Sequence, residues 1–414
     1  MSSNQVLFGD CAELVREGVD PSTCQEIAYI GLEHIGQGTL SLVGRGTAAD
    51  VDSQKMKFKK GDILFGKLRP YLRKAVVAPF DGICSTDIWV VRPKEGVDVR
   101  FLLYWMASQP FIDQAVAAAD GTRMPRAKWD TVLTAAVPNF SREEQAEIGS
   151  SLGALDDCID NLRATNEALE AIVHELFKSW FMDFGPVKAK AAGQVPAGVD
   201  ENTRALFPSE FDELEGAKLP RGWRMGTLAT FVSESTKRAG TSSPLVLSAV
   251  QTGHLVKSAE YFTKRVHSED ISKYKVVAPL AFAYNPARVN IGSIGVNEFG
   301  EHGAVSPVYV VVEPNSPAIG YYLWHYLRTN TMQEAIKTLA SGTVRQSLSF
   351  QDFSSIPVVL PPAAILEAFY DIRCRMYAAH AFNAGQIGTL TEIRDALLSR
   401  LISGELRPSE FLGG

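Results

Sequence analysis

At 414 residues, with 46% apolar and 21% charged side chains, the chain has the length of two or more ordinary domains and the make-up of a folded protein, which excludes wholesale disorder. Its formal net charge is −6, no apolar run approaches the roughly 18–20 residues that a bilayer crossing needs, and the first residues lack a basic start followed by an apolar segment. A cytoplasmic protein with no membrane partner is expected. The five cysteines, Cys11, Cys24, Cys84, Cys158 and Cys374, are odd in number, widely spaced and without a CxxC pair, as expected of reduced thiols rather than a disulfide or zinc framework.

The first predicted unit, residues 1–140, is electrically neutral but uneven. Residues 55–74 hold Lys55, Lys57, Lys59, Lys60, Lys67, Arg69, Arg73 and Lys74 against Asp62 alone. Such a stretch can grip a polyanion through phosphate contacts, or it can be a solvated strand edge that lysines keep from aggregating. "GDILFGKL" and "DIWVVRP" read as strands, and "FLLYWMASQPFIDQAV" as a helical stretch after them. Pro138 and the capping box of Ser141 and Glu144 then open a long helix over 141–182. Ile148, Leu152, Leu155, Ile159, Leu162, Asn166, Leu169, Val173 and Leu176 keep a 3.5-residue spacing, which favours supercoiling against another helix. Residues 183–220, rich in Pro, Gly, Ala and charge, read as a surface connector. Residues 141–220 together carry the acid that sets the net charge, which suits a protein-facing role because acid repels a duplex.

A second unit over 221–361 repeats the first at a shift of 221 residues. "GICSTDIWVVRP" falls on "GAVSPVYVVVEP", "DGTRMPRAKW" on "SGTVRQSLSF", and "ALEAIVHELFKSWF" on "TLTEIRDALLSRLI". "PLAFAYN" and "SPVYVVVEP" read as strands and "YYLWHYLRTNTMQEAIKTL" as helix. Phe282 is read as the counterpart of Phe65, and the basic run has no counterpart. After Pro361 and Pro362 a second long helix, 362–403, places Ile365, Phe369, Ile372, Met376, Ala379, Asn383, Gln386, Leu390, Ile393 and Leu397 at the seam, with Gly385 and Gly388 softening its middle; residues 404–414 form a tail. An Asn in each seam is the kind of polar core residue that fixes register. The fold expected is mixed α/β of the α+β class: two globular units in tandem repeat, separated by two long antiparallel helices that form a coiled-coil spacer.

No constellation for catalysis is found. There is no G-x-x-x-x-G-K-[ST], the glycines of "IGSIGVNEFG" lack dinucleotide spacing, the seven histidines form no HExxH, and "YNPA" lacks the second Pro and the aromatic of an adenine-methyltransferase motif. Neither catalytic nor metal-ligating residues are expected.

Taken together, "GDILFGKLRPYLRKAVVAPFDGICSTDIWVV", "DGTRMPRAKW", "VPNFSREEQ", "SWFMDFGPVKAKAAG", "LPRGWRMGTL", "YNPARVNIGSIG" and "GTVRQSLSFQDFSSIPVVLPP" resemble the DNA-specificity (S) subunit of type I restriction-modification systems, from about residue 26 to 405. The resemblance implies a non-catalytic protein in which each globule is a target recognition domain reading one half of a split sequence in double-stranded DNA. It implies that the helices space the halves and dock two methyltransferase (M) subunits, which bind S-adenosylmethionine, with restriction (R) subunits joining where the system has them. The DNA candidates are Lys67, Arg69, Tyr71, Arg73 and Lys74 with Arg123, Arg126 and Lys128 in the first unit, and Tyr284, Asn285, Arg288 and Asn290 with Arg345 and Gln346 in the second. Arginine forks suit phosphates and guanine edges, and Asn and Gln suit adenine. A coiled-coil adaptor that never touches DNA, or a stand-alone DNA-binding protein, stands as the alternative.

Overall fold

The computed structural model describes residues 5–117, 119–120, 124–214, 216–242, 244–250, 253–261, 268–340 and 347–407. Two compact units emerge: residues up to 166 together with those from 381 onward, and residues 167–380.

In the first unit a four-stranded antiparallel sheet runs in the order Ala12–Val15, Ile88–Pro93, Ile63–Gly66, Ala75–Val77. A five-stranded mixed sheet lies beside it in the chain: Gly18–Val19, Lys55–Phe58, Gly82–Cys84, Ala28–Ile30, Gly46–Thr47. Successive strand residues point to opposite faces, so the apolar run at 63–65 feeds two cores. Ile63 and Phe65 join Trp89, Val91 and the helix Val99–Ala107, whereas Leu64 joins Val76, Ile88 and Val90.

The second unit repeats this plan. Its antiparallel sheet has the order Val232–Ser235, Val310–Pro314, Phe282–Tyr284, Ile294–Val296. Phe282 and Tyr284 face the larger core, Ala283 and Val311 the smaller. Strand register corrects the sequence alignment here. Ile63 pairs with Val91 and Phe65 with Trp89, while Phe282 pairs with Val312 and Tyr284 with Val310. Since Val91 and Val312 correspond, the counterpart of Phe65 is Tyr284, not Phe282. A turn two residues longer in the second unit, 297–302 against 78–81, makes the shift 219 before it and 221 after it; it is anchored by the buried Asn297, whose amide donates to the carbonyls of Val277 and Glu301.

The stretch 183–220 is not a bare connector. Gly185–Ala191 and Glu201–Leu206 are short helices, Phe211–Leu214 pairs with Ala217–Pro220, and Val187, Phe207 and Leu219 are buried with Trp223 in the second core. Its apolar residues are few but well spaced, and a compositional reading averages them away.

The first long helix, α1 (Arg142–Phe177), ends in a π-helical turn at Lys178–Met182. Its capping box is formed as the sequence requires: Ser141 N–H donates to the Glu144 carboxylate at 2.9 Å and Glu144 N–H to Ser141 Oγ at 3.2 Å. The second, α2 (Ala363–Ser403), runs unbroken through Gly385 and Gly388. Within the first unit Arg394 of α2 meets Asp156 of α1 at 2.7 Å and Asn383 meets Asn166. Ten residues forward on α1 correspond to eleven back on α2, so the helices are antiparallel there. The α2 seam differs from the expected one beyond Asn383. Gln386 and Ile393 are exposed, and the buried positions are Arg394, Leu398, Leu401 and Ile402. The half-buried and buried positions Asn383, Ile387, Leu390, Arg394, Leu397 and Leu401 still alternate steps of four and three, so the stripe keeps its spacing and differs in phase, stepping by four rather than three after Asn383.

Candidate nucleic-acid interface

Residues 67–74 leave the central strand of the first unit as a turn. Pro70–Leu72 form one 3₁₀ turn, bracketed by Arg69 (φ 52°) and Arg73 (φ 49°) in the left-handed region. For residues other than glycine this conformation costs roughly 1–2 kcal/mol each, so neighbours must enforce it. They do: Gly66 N–H donates to Lys74 O at 2.8 Å, Lys67 N–H to Asp87 O at 3.0 Å, and Arg69 N–H to Pro125 O at 2.8 Å, while Ala127 N–H donates to Lys67 O at 2.9 Å. The last two bonds bring 125–128 against 67–69, so two basic clusters almost sixty residues apart in sequence share one surface. Tyr71, at the tip, is 52% exposed.

The side chains divide by role. Arg69 is exposed and has no ion pair among the described residues. Arg73 donates to the Gln109 side-chain oxygen. Lys74 is spent on structure: its ammonium donates to the carbonyls of Leu32 (2.6 Å) and Ile35 (2.8 Å). Lys55 is buried, bonded to Ser53 and set over the Tyr29 ring, and Lys57 pairs with Glu17 at 2.9 Å. The excess of basic residues counted over 55–74 therefore overstates the charge offered to a ligand. Arg126 makes a two-pronged bond to Asp87 (2.8 and 3.1 Å), and its guanidinium holds the Asp87 carboxyl below the usual carboxylate range. Lys128 pairs with Asp120 at 2.5 Å. Lys67, Arg126 and Lys128 line a cleft of about 630 Å³ together with Arg16, Trp89 and Trp129. Asp87 and Arg16 carried no signal in the sequence, each being a lone charge far from the basic run. Arg123 lies outside the described residues.

In the second unit the same turn recurs at a shift of 219 residues. Asn285 N–H donates to Ser293 O at 3.0 Å, as Gly66 does to Lys74, and Val289–Ile291 form the matching 3₁₀ turn. Arg288 precedes it, exposed, where Arg69 precedes the first; Gly292 (φ 87°) follows it in the left-handed conformation of Arg73. Leu348 N–H donates to Pro286 O at 3.1 Å, repeating the bond from Ala127 to Lys67. The second unit thus retains the turn that its sequence hides, with Asn290 in the place of Tyr71. Asn285 Oδ1 accepts from Ala287 N–H at 3.1 Å and shapes the entry. Tyr284 is removed from any ligand surface: it is fully buried against Phe353, its hydroxyl has no partner among the described residues, and burial pushes its pKa up. Arg345 and Gln346 lie outside the described residues.

No group of acidic, His or Cys side chains among the described residues could hold a metal ion, and no described helix is long and apolar enough to cross a membrane.

No family model matches the sequence. The chain is 26% identical to the type I restriction enzyme MjaIX specificity subunit of Methanocaldococcus jannaschii, over 86% of this chain and 79% of that protein. It is 26% identical to the HindI specificity subunit of Haemophilus influenzae, over 96% of this chain and 98% of the relative. The crystal structure of a type I restriction-modification S subunit from M. genitalium matches 96% of this chain and 95% of its own at a TM-score of 0.53 and 15% identity, a likeness of fold.

Proposed function

We infer that the chain is the DNA-specificity subunit of a type I restriction-modification system, a non-catalytic protein that gives its complex the ability to choose a DNA sequence. One observation carries the reading beyond overall similarity: the turn bearing Arg69 and the turn bearing Arg288 are built alike, down to the flanking hydrogen bonds and the left-handed residue that closes each. Two copies of one reading device in one chain suit a target of two specified blocks separated by unspecified base pairs.

In this reading Arg69 and Arg288 lie at equivalent points against the duplex, Tyr71 and Asn290 sit at the tips, and Lys67, Arg73, Arg126 and Lys128 supply phosphate contacts or release their carboxylate partners to do so. Lys74 holds the turn, and Asn285 shapes its counterpart. Methyl transfer belongs in this reading to methyltransferase subunits, two of them, which bind S-adenosylmethionine; restriction subunits join the same complex where the system has them, in the cytoplasm. The long helices are the proposed docking surface.

The test is to co-express the chain with the methyltransferase subunit encoded beside it and map methylated adenines by single-molecule sequencing. A split motif that vanishes when this chain is deleted is the expected result. An active methyltransferase with no such motif would favour the adaptor reading.

A further inference from the structure

The second unit contains a cavity of about 810 Å³ that the DNA-reading role does not use. Two of its lining side chains are buried polar groups without the partners they need. Arg373 is 7% exposed, sandwiched between the rings of Tyr321 (3.9 Å) and Tyr377 (4.4 Å), and has no hydrogen bond or carboxylate partner among the described residues. His325 is 5% exposed, and its Nε2 has no partner there either. The Arg373 guanidinium, stacked between two rings and lining the cavity, has no carboxylate bonded to it among the described residues, so an anion that enters the cavity finds its donors unused.

The neighbouring cation is already arranged. Arg328 stacks on Trp324 at 3.8 Å and lies 2.7 Å from His254 Nε2. A guanidinium can only donate, so Nε2 accepts, and Nδ1 carries the proton toward Glu298. Glu298 thereby balances Arg328 through a neutral imidazole, with Glu170 adding to that balance, and neither carboxylate bonds Arg373 among the described residues. Around these cations the walls mix apolar and aromatic groups, including Val173, Met376 and the half-exposed Tyr377, with the exposed carboxylates of Glu167 and Glu170, the latter paired with His380 at 3.2 Å, and the volume is that of a small-ligand site.

We propose that this cavity binds a small organic phosphate of nucleotide size, its phosphate held by Arg373 and Arg328 and its planar body against the aromatic wall. The planar fork of arginine matches phosphate oxygens two at a time, and an aromatic wall accepts a flat ring.

Calorimetry on the full chain in complex with its methyltransferase subunit, titrated with AMP, adenosine and inorganic phosphate, decides the matter. AMP is expected to bind once per chain, with adenosine at least tenfold weaker and Arg373→Met raising the Kd for AMP at least tenfold. Arg328→Gln does the same and serves if Arg373→Met fails to fold. Arg69→Ala, in the other unit, leaves AMP binding unchanged, and duplex DNA does not compete. No binding of AMP at millimolar concentration, an unchanged Kd in both variants, or displacement by duplex DNA would each overturn the proposal, the last by making the cavity part of the DNA surface; none of these bears on whether the chain sets the methylation target.

Discussion

Asn383 of α2 donates its side-chain amide to the carbonyl oxygen of Asn166 on α1 at 2.9 Å, a neutral polar pair in the helix seam of the first unit, which also holds the Arg394–Asp156 ion pair. Apolar residues at the same positions would pack in several registers, whereas an amide pair is satisfied in one. Asn166→Leu strands the Asn383 amide and should cost about 1 kcal/mol or more in urea unfolding. The double variant Asn166→Leu/Asn383→Leu should recover that loss in stability while permitting a second helix register, seen as doubled amide resonances or altered cross-linking.

Arg69 and Arg288 should fail separably. Arg69→Ala is expected to lower DNA affinity of the assembled complex several-fold and to reduce the dependence of binding on salt by about one counterion, with assembly intact. Arg288→Ala should do the same through the other half of the target. Lys74→Ala is expected instead to lower the melting temperature, since the lost ammonium frees two carbonyls. Filter binding across a salt series together with thermal unfolding separates these outcomes.

Tyr284→Phe removes a buried hydroxyl that has no partner among the described residues. The variant should be as stable as the parent or more stable, by up to about 1 kcal/mol, because burying the hydroxyl is costly and no bond is lost. The methylated motif should not change. A changed motif would return Tyr284 to the reading surface.

Gly385 and Gly388 lie within α2, where an added methyl group meets no atom within 4 Å at either site. Alanine at each should stabilise by about 0.5–1 kcal/mol, by reducing the freedom of the unfolded chain and favouring helix.

The His325 imidazole is held neutral: burial, with Arg328, His174 and Arg373 nearby, pushes its pKa down to about 3. The unfolded chain binds a proton there near pH 6.5 and the folded chain does not. Its contribution to stability is full above about pH 6.5 and is lost as pH falls toward 3. Unfolding by urea at pH 7.5 and 5.0 should show a smaller acid loss in His325→Phe than in the parent, the difference being on the order of 1–2 kcal/mol.

Much of this was legible in the sequence. The heptad spacing and the Ser141–Glu144 box delimit α1, and the two seam asparagines do meet. What escaped did so for physical reasons. Charge counting cannot see that Lys74 is absorbed by backbone oxygens, nor that Arg126 is held by Asp87, because those partners come from distant segments. The equivalence of the two turns was hidden by the two-residue difference at 297–302: the shift is 219 before it and 221 after it, so one fixed shift sets Arg288 on Lys67 instead of Arg69. Ile393 looked like seam because the extrapolation stepped by three after Asn383 where the helix steps by four, to Ile387, which moves the later seam to Arg394.

The first unit draws Leu398, Leu401 and Ile402 into the same core as Phe101, Ile148 and Leu152. A ribosome that has made residue 166 must still translate the whole of 167–380 before those side chains exist. At about 5–20 residues per second that is a delay of roughly 10–45 seconds. During it the nascent first unit holds an open apolar trough while the second, which is continuous in sequence, is free to close. Chains that terminate early, or that are degraded from the C-terminus, lose the lid of the domain synthesised first, so quality control at the last helical turns also inspects the fold of the opening half.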